Sequence, residues 1–162
     1  MCKSVTRWSP LVLAASALIV IVGCGASVPM LKRGGGSVSV VLLGAPDCNN
    51  CRTRTASSLK VRVFQVADSS AIRGVLNNKT LSWSKQLDAA AANVLGKPME
   101  DFIAPGASKT LEVVREEKAT AVVIEGNFCA RSGAAWYFIH PAKEKSVQLR
   151  ADATGFTLIP RK

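Results

Sequence analysis

The residues with the clearest chemical potential are two cysteines separated by two residues, in Cys48-Asn49-Asn50-Cys51. A Cys-x-x-Cys pair is typical of a redox dithiol, of half a zinc site or of a small structural loop. A reactive dithiol normally lies at the start of a helix, where the helix dipole lowers the thiol pKa. Here the motif follows a predicted strand and leads into polar residues, so we favour a structural disulfide.

The zinc and disulfide alternatives depend on the remaining cysteine and the only histidine. Zinc would need two further ligands, but Cys129 and His140 lie eleven residues apart in no recurring zinc pattern. We therefore predict no metal site and no cofactor. Three disulfide pairings are open: Cys48 with Cys51, Cys48 with Cys129, or Cys51 with Cys129. We favour Cys48 with Cys51, because closing a short loop costs little entropy.

Residues that would mark an enzyme are missing from the sequence. His140 precedes Pro141 at the end of an apolar strand, which favours a surface or edge position over a role as a general base. There is no Gly-x-Ser-x-Gly elbow, no phosphate-binding glycine loop and no closely spaced acidic pair with a suitable base. We predict neither enzyme activity nor a small-molecule substrate.

A further cysteine, Cys24, ends an apolar stretch near the N-terminus. The basic residues Lys3 and Arg7 precede apolar residues 11–22, which are too few to span a bilayer comfortably. The sequence Ile21-Val22-Gly23-Cys24 is typical of a bacterial lipobox, in which the cysteine is acylated and becomes the mature N-terminus. The pattern predicts a lipoprotein signal peptide and a fatty acid such as palmitate on Cys24.

Removal of the predicted signal peptide, residues 1–23, leaves 139 of the 162 residues and lowers the formal charge from +10 to +8. That length suits one small domain. Gly25 follows the modified cysteine, and by analogy with bacterial lipoproteins this favours the outer membrane, with the domain facing the periplasm. Residues 24–37, which include three consecutive glycines, predict a lipidated N-terminus and flexible tether. Scattered basic residues and few aromatics argue against nucleic-acid binding.

The remaining residues, 38–162, predict one β-rich domain. Alternating apolar residues indicate a first strand from about residue 38 and a second strand over Leu59–Val66. Short strands after residue 98, separated by turn residues, complete the pattern of a mainly β, antiparallel sandwich. These later strands are predicted at residues 99–103, 110–115, 119–128, 135–140, 146–152 and 156–159.

Between the second strand and these later strands the spacing of apolar residues changes to that of helices. A short helix capped by Ser69 or Ser70 and a longer one over residues 84–95 predict a helical insertion at about 69–97. Gly96 is placed where a helix C-cap belongs.

The order of these features resembles the TssJ (SciN, VasD-like) family, the outer-membrane lipoproteins of the type VI secretion system. Val61-Arg62-Val63-Phe64-Gln65-Val66 is similar to the family's Val-Arg-Val-Tyr-Gln-Leu strand. Val94-Leu95-Gly96 and Ala104-Pro105-Gly106 are similar to its Leu-Gly and Pro-Gly segments. Residues 121–125, together with Trp136, resemble its late strand pair.

The resemblance implies a transthyretin-like β-sandwich with added helices, tethered to the inner leaflet of the outer membrane. It also implies a partner, the periplasmic C-terminal domain of the inner-membrane protein TssM. The loop after the first strand, residues 46–58, is implicated in docking and is here called the first loop. Its candidate docking residues are Asn49, Asn50, Arg52 and Arg54.

The chain departs from the family pattern at two points, and two other functions stay open. Tyr137 follows the late tryptophan where the family often has arginine, and the first loop carries an unusual Cys-x-x-Cys. One alternative is a periplasmic thiol-disulfide lipoprotein that uses Cys48 and Cys51. The other is a pilotin or chaperone lipoprotein of a different envelope machine.

Overall fold

The structure is a computed structural model that describes residues 35–51, 55–78, 80–131 and 135–160. The predicted signal peptide, Cys24 and nearly all of the tether lie outside the described residues, as do Arg52 and Arg54. Among the helices within the described ranges, none has the length and apolar character needed to cross a membrane.

Strands dominate the described part of the chain, and two short helices interrupt them. The helices are α1 (Ser69–Leu76) and α2 (Trp83–Ala90), and a 3-10 turn (Ala91–Asn93) follows the second. The strands are β1 (Ser37–Gly44), β2 (Leu59–Val66), β3 (Val94–Ile103), β4 (Ser108–Val114), β5 (Ala121–Gly126), β6 (Tyr137–Pro141), β7 (Ser146–Ala151) and β8 (Phe156–Leu158).

Across the described residues the strands form two four-stranded sheets, with the orders β4-β1-β7-β8 and β3-β2-β5-β6. The predicted mainly β sandwich is thus confirmed. The prediction of purely antiparallel pairing is wrong at one place, because β1 and β7 run parallel. Parallel neighbours require a crossover connection, and here the whole second sheet and β4 lie between these two strands in the sequence.

Alternation along β1 and β7 places one apolar side of the first sheet in the core. The first strand buries Val38, Val40 and Leu42, as its period of two predicts. Val147, Leu149 and Ala151 of β7 are buried in the same way. Because fully burying one such valine or leucine contributes about 1.5–3 kcal/mol, the pattern fixes the register of both strands strongly.

The cap of the first helix lies one residue before the earlier of its two predicted positions. Asp68, rather than Ser69 or Ser70, is the N-cap, and its carboxylate accepts hydrogen bonds from the backbone amides of Ser70 (2.7 Å) and Ala71 (3.3 Å). A carboxylate also interacts favourably with the positive end of the helix dipole. Asp68 therefore fixes the point at which the chain leaves β2 and enters the helix.

The second helix is shorter than predicted, and the prediction of Gly96 as its C-cap is wrong. Residues 94 and 95 belong to β3, where Val94 pairs with Val66 and Leu95 with Gln65. Gly96 lies inside that strand with a φ of 66°. Residues 96–98 of β3 lie opposite the single residue Phe64 of β2, so the pairing shifts register there and β3 forms a bulge. The left-handed backbone of Gly96, the first of these three residues, allows the bulge.

Candidate functional site

The first loop is held against the turn between β7 and β8 at one end of the sandwich. The backbone amide of Asn49 donates to the Asp152 carbonyl (3.0 Å), and that of Asn50 donates to the Ala153 carbonyl (3.1 Å). These bonds join the loop to the chain immediately after β7. The start of the first loop is therefore anchored to the first sheet by backbone hydrogen bonds.

Asn49 connects three chain segments through its side chain. Its Nδ2 donates to Ser57 Oγ (3.1 Å) and to the Ser58 carbonyl (3.1 Å), at the far end of the same loop. Its Oδ1 accepts from the backbone amide of Cys129 (2.8 Å) in the β5–β6 connection. The residue is buried and has a φ of 49°, a left-handed backbone that asparagine tolerates better than most side chains. Asn49 thus fixes the shape of the loop.

Cys51 forms a disulfide with Cys129, across a Cα–Cα distance of 5.2 Å and a sequence separation of 78 residues. The predicted pairing of Cys48 with Cys51 is therefore wrong. Folding brings the β5–β6 connection onto the first loop, at the same place where Asn49 binds the amide of Cys129. We name this surface the loop end: the first loop, residues 127–131 and the turn 152–155.

Cys48 is the free cysteine of the loop end, and its side chain is completely buried. Burial, with smaller contributions from the negative charges of Asp47 and Asp152, raises the pKa of its thiol to about 11. Such a thiol is almost wholly protonated at neutral pH, and the thiolate is the reactive form. Together with the bond between Cys51 and Cys129, this argues against a catalytic pair of Cys48 and Cys51.

The basic side chain of the loop end that the structure describes is Arg131, two residues after Cys129. Its guanidinium carbon lies 4.5 Å from the centre of the Trp136 ring, an arrangement suited to a cation–π contact. Arg131 was not among the predicted site residues, although its position two residues after Cys129 is visible in the sequence. Arg52 and Arg54, predicted to steer a partner, lie outside the described residues.

Beside the loop end, the outer face of the second sheet holds a buried ion pair that the sequence analysis missed. Arg62 of β2 donates from Nε and Nη2 to one carboxylate oxygen of Glu125 on β5, and the Nε distance is 2.9 Å. Arg62 also donates to the Trp83 carbonyl (2.8 Å) and lies 4.0 Å from the centre of its ring. This arginine therefore holds the start of α2 on the sheet. In the sequence Arg62 alternates with the apolar residues Val61 and Val63, a pattern typical of an outward side chain, and the helix covers that outward face.

Burial has a larger effect on the pKa of Glu125, the acidic member of this pair, than any neighbouring charge has. It raises the pKa of the Glu125 carboxyl, while the charge and hydrogen bonds of Arg62 oppose the rise. The second carboxylate oxygen, Oε1, is buried and has no hydrogen-bond partner among the described residues. Burial also lowers the pKa of Arg131, whose charge acts on the same carboxylate. A pair of this kind contributes more to the specific placement of α2 than to net stability.

His140 lies in β6, an edge strand of the second sheet, so the edge position, one of the two predicted, is confirmed. The other, a surface position, is wrong, because the side chain is buried, 4% exposed. Its Nε2 lies 3.9 Å from the carboxylate of Glu144, on the connection to β7. Within the described ranges, no group of three or more histidine, cysteine or acidic side chains is arranged to hold a metal ion.

The fold and the loop end together define a small β-sandwich whose loops are cross-linked at one end, and within the described residues no cluster of side chains is arranged to hold a metal ion. Residues 36–155 match the family model of the type VI secretion lipoproteins, described by the names VasD, EvfM and TssJ. The chain belongs to this family, which is a lipoprotein component of a secretion system and not an enzyme family.

Solved structures show the same fold at low sequence identity. The lipoprotein TssJ1 from Pseudomonas aeruginosa is 14% identical with a TM-score of 0.62, and the match covers 78% of this chain and 97% of that one. A chain in a type VI membrane complex is also 14% identical, with a TM-score of 0.68 and coverages of 77% and 98%. A chain in the structure of the TssM C-terminal domain from EAEC is 11% identical, with a TM-score of 0.63 and coverages of 77% and 98%. No curated protein matches the sequence significantly.

Proposed function

We propose that the protein is the outer-membrane lipoprotein of a type VI secretion system and anchors the periplasmic C-terminal domain of a TssM-type inner-membrane protein. The observation that carries this proposal is the family match over residues 36–155. Similarity to chains in the type VI membrane complex and in the TssM structure supports a partner of the TssM type.

On the membrane side, residues 1–23 are removed as a signal peptide, and Cys24 carries the lipid in the periplasmic leaflet of the outer membrane. Residues 24–37 then link this anchor to the sandwich. Several buried acyl chains, at about 0.8 kcal/mol per CH₂ group, hold such a protein firmly on a bilayer.

Metabolic labelling with palmitate tests the anchor. The full chain takes up label and fractionates with the outer membrane, and Cys24→Ser abolishes both. Cys2→Ser is the matched control, because Cys2 lies within the predicted signal peptide and its loss leaves labelling intact. Equal labelling of the wild type and Cys24→Ser would refute lipidation at this position.

On the partner side, the loop end provides the docking surface. The disulfide and the hydrogen bonds of Asn49 order the first loop before binding, which lowers the entropy cost of association. Asn49 contributes by fixing the described part of the loop, and Asn50, Arg52 and Arg54 are the proposed contact residues. The arginines steer the surface toward an acidic partner.

Calorimetry of residues 25–162 with the TssM-type C-terminal domain from the same genome tests the docking. We expect a dissociation constant that is micromolar or tighter, within the usual range of specific protein complexes. No heat of binding from a folded sample would refute the TssM partnership and would favour another envelope machine.

A further inference from the structure

One end of the sandwich holds a cleft of about 450 Å³ beside the start of β1. It is lined by residues 35–37, by Arg115 after β4 and by residues 142–145 between β6 and β7, and we name it the entry cleft. Strand β1 begins at this cleft and ends two residues before the first loop. Its eight residues extend over about 23 Å, so the entry cleft and the loop end lie at opposite ends of the sandwich.

Three basic side chains line the entry cleft, and they come from two different connections. Arg115 follows β4, whereas Lys143 and Lys145 lie between β6 and β7. Backbone hydrogen bonds join both connections to β1 and the residues before it. The amide of Arg115 donates to the Gly36 carbonyl (3.1 Å), and the carbonyl of Lys145 accepts from the Ser39 amide (2.9 Å). The three cations are therefore carried on a fixed backbone frame.

These three cations form no ion pair within the part of the chain that the structure describes. Other basic side chains of the sandwich do form such pairs, namely Lys60, Arg62, Lys109 and Arg150. Like charges that share one cleft repel each other, and this repulsion is relieved when an anion binds between them. The entry cleft is therefore suited to an anionic ligand.

The carboxylates of the same connections offset this positive charge in part. Glu144 lines the cleft, and its Oε2 lies 3.9 Å from His140 Nε2. The carboxylate of Glu116 lies against Gly96 on β3, and Glu117 lines an adjoining depression. Three cations and one carboxylate give the entry cleft a formal charge of 3 − 1 = +2. A phosphate group matches this charge, and lysine and arginine are its usual ligands in proteins.

We propose that the entry cleft binds the phosphate of an anionic phospholipid headgroup at the membrane surface. Residue 35 follows Cys24 by eleven residues, so the chain keeps the cleft within about 40 Å of the lipid anchor. An anchored cleft meets headgroups at a high effective concentration. Basic clusters beside a membrane anchor bind anionic lipids in this way. The choice of a membrane phosphate rests on the proposed lipidation of Cys24.

Binding at the entry cleft orients the domain on the membrane. A lipid at the end of a linker limits the distance between the domain and the bilayer, whereas a headgroup contact also fixes which end faces it. The loop end lies at the opposite end of the sandwich from the cleft. It therefore points away from the bilayer, toward a partner that arrives from the inner membrane.

Hydrogen–deuterium exchange of the chain purified from its own envelope tests the proposal. The protein is mixed with vesicles of phosphatidylcholine, with vesicles that also contain phosphatidylglycerol, or with phosphatidylcholine vesicles and inorganic phosphate. We expect the amides of residues 35–37 and 142–146 to exchange about fivefold more slowly with phosphatidylglycerol than with phosphatidylcholine alone. One basic residue near an anionic surface is worth about that factor. The amides of residues 47–50, at the loop end, exchange equally in all three samples.

The variant Lys143→Ala with Lys145→Ala removes the difference between the two kinds of vesicle. Arg73→Ala with Lys85→Ala is the matched control, because it removes the same charge from exposed positions on α1 and α2 and retains the difference. Lys143→Arg with Lys145→Arg also retains it, since arginine binds phosphate as well. A difference that survives the double alanine variant would overturn the proposal.

Equal exchange in neutral and anionic vesicles would also overturn it. Equal protection by inorganic phosphate would show a site for free phosphate instead of a membrane contact. The mass of the N-terminal peptide from the same sample tests the anchor separately. An acylated peptide without protection of the cleft refutes headgroup binding and leaves the proposed anchor intact. A peptide without an acyl group refutes the anchor, and exchange with the added vesicles still decides whether the cleft binds headgroups.

Discussion

At the scale of single residues, Asn49 is the most demanding position of the loop end. Replacing it with alanine removes three side-chain hydrogen bonds and leaves their partners without them, at a left-handed backbone angle that alanine adopts with strain. We expect Asn49→Ala to lower the free energy of unfolding by about 2–3 kcal/mol. Chemical denaturation measures the loss.

Asn50→Ala is the matched control for this prediction. Asn50 contributes its backbone amide to the loop end, and an alanine keeps that bond. We expect a change within about 0.5 kcal/mol. Equal effects of the two substitutions would mean that the loop is not organised around Asn49.

The buried carboxyl of Glu125 makes stability depend on pH. Burial raises its pKa above the ordinary value of 4.5, although Arg62 opposes the rise. The folded state then binds the proton more tightly than the unfolded chain, so this stabilisation is present below the ordinary pKa and is lost as the pH rises through the folded-state pKa. Glu125→Gln cannot titrate at this position.

The free energy of unfolding of the wild type, minus that of Glu125→Gln, should therefore fall as the pH rises from about 4 to 7. Urea denaturation at several pH values measures this difference and cancels the titration of groups that both proteins share. A difference that grows over the same range would show that Arg62 outweighs burial and lowers the pKa of Glu125.

At the scale of secondary-structure elements, strands were more predictable than helices or cross-links. The bounds of β2 agree with those expected, because its valine-rich sequence favours a strand strongly. Residues 84–95 carry helical spacing throughout, yet Val94 and Leu95 pair with β2, so tertiary pairing overrides local periodicity. The same holds for Arg62, whose burial depends on a helix elsewhere in the sequence.

The disulfide shows why the loop end was the least predictable element. Short sequence separation favours Cys48 and Cys51 only in the unfolded chain, and the folded β5–β6 connection presents Cys129 instead. We expect Cys48→Ala to retain the disulfide. Cys51→Ser together with Cys129→Ser should lower stability by about 2–4 kcal/mol, because the bond closes a long loop.

Peptide mapping without reduction, combined with thermal unfolding, checks both expectations for the disulfide. The decisive comparison is the bridged peptide in Cys48→Ala. Its absence there, or a bridge from Cys48 to Cys51 in the wild type, would contradict the pairing of Cys51 with Cys129.

At the scale of the whole molecule, the net positive charge comes from a few short stretches of the sequence. All eleven acidic residues and twelve of the basic ones lie in the described part of the chain, whose formal charge is therefore +1. The other basic residues after position 24 belong to the tether, the first loop, the region between the helices and the C-terminus: Lys32, Arg33, Arg52, Arg54, Lys79, Arg161 and Lys162.

This distribution predicts how docking at the loop end responds to salt. Arg52→Ala together with Arg54→Ala should slow association with an acidic TssM-type domain several-fold at low ionic strength, because steering acts mainly on the association rate. The effect should largely vanish near 1 M salt, where the screening length is about 3 Å. Stopped-flow association measures both the association rate and its dependence on salt.

Lys143→Ala with Lys145→Ala is the control for this prediction. It changes the same charge at the opposite end of the sandwich, next to the start of β1. Equal slowing by the two pairs would show that total charge, rather than its place on the first loop, governs the encounter.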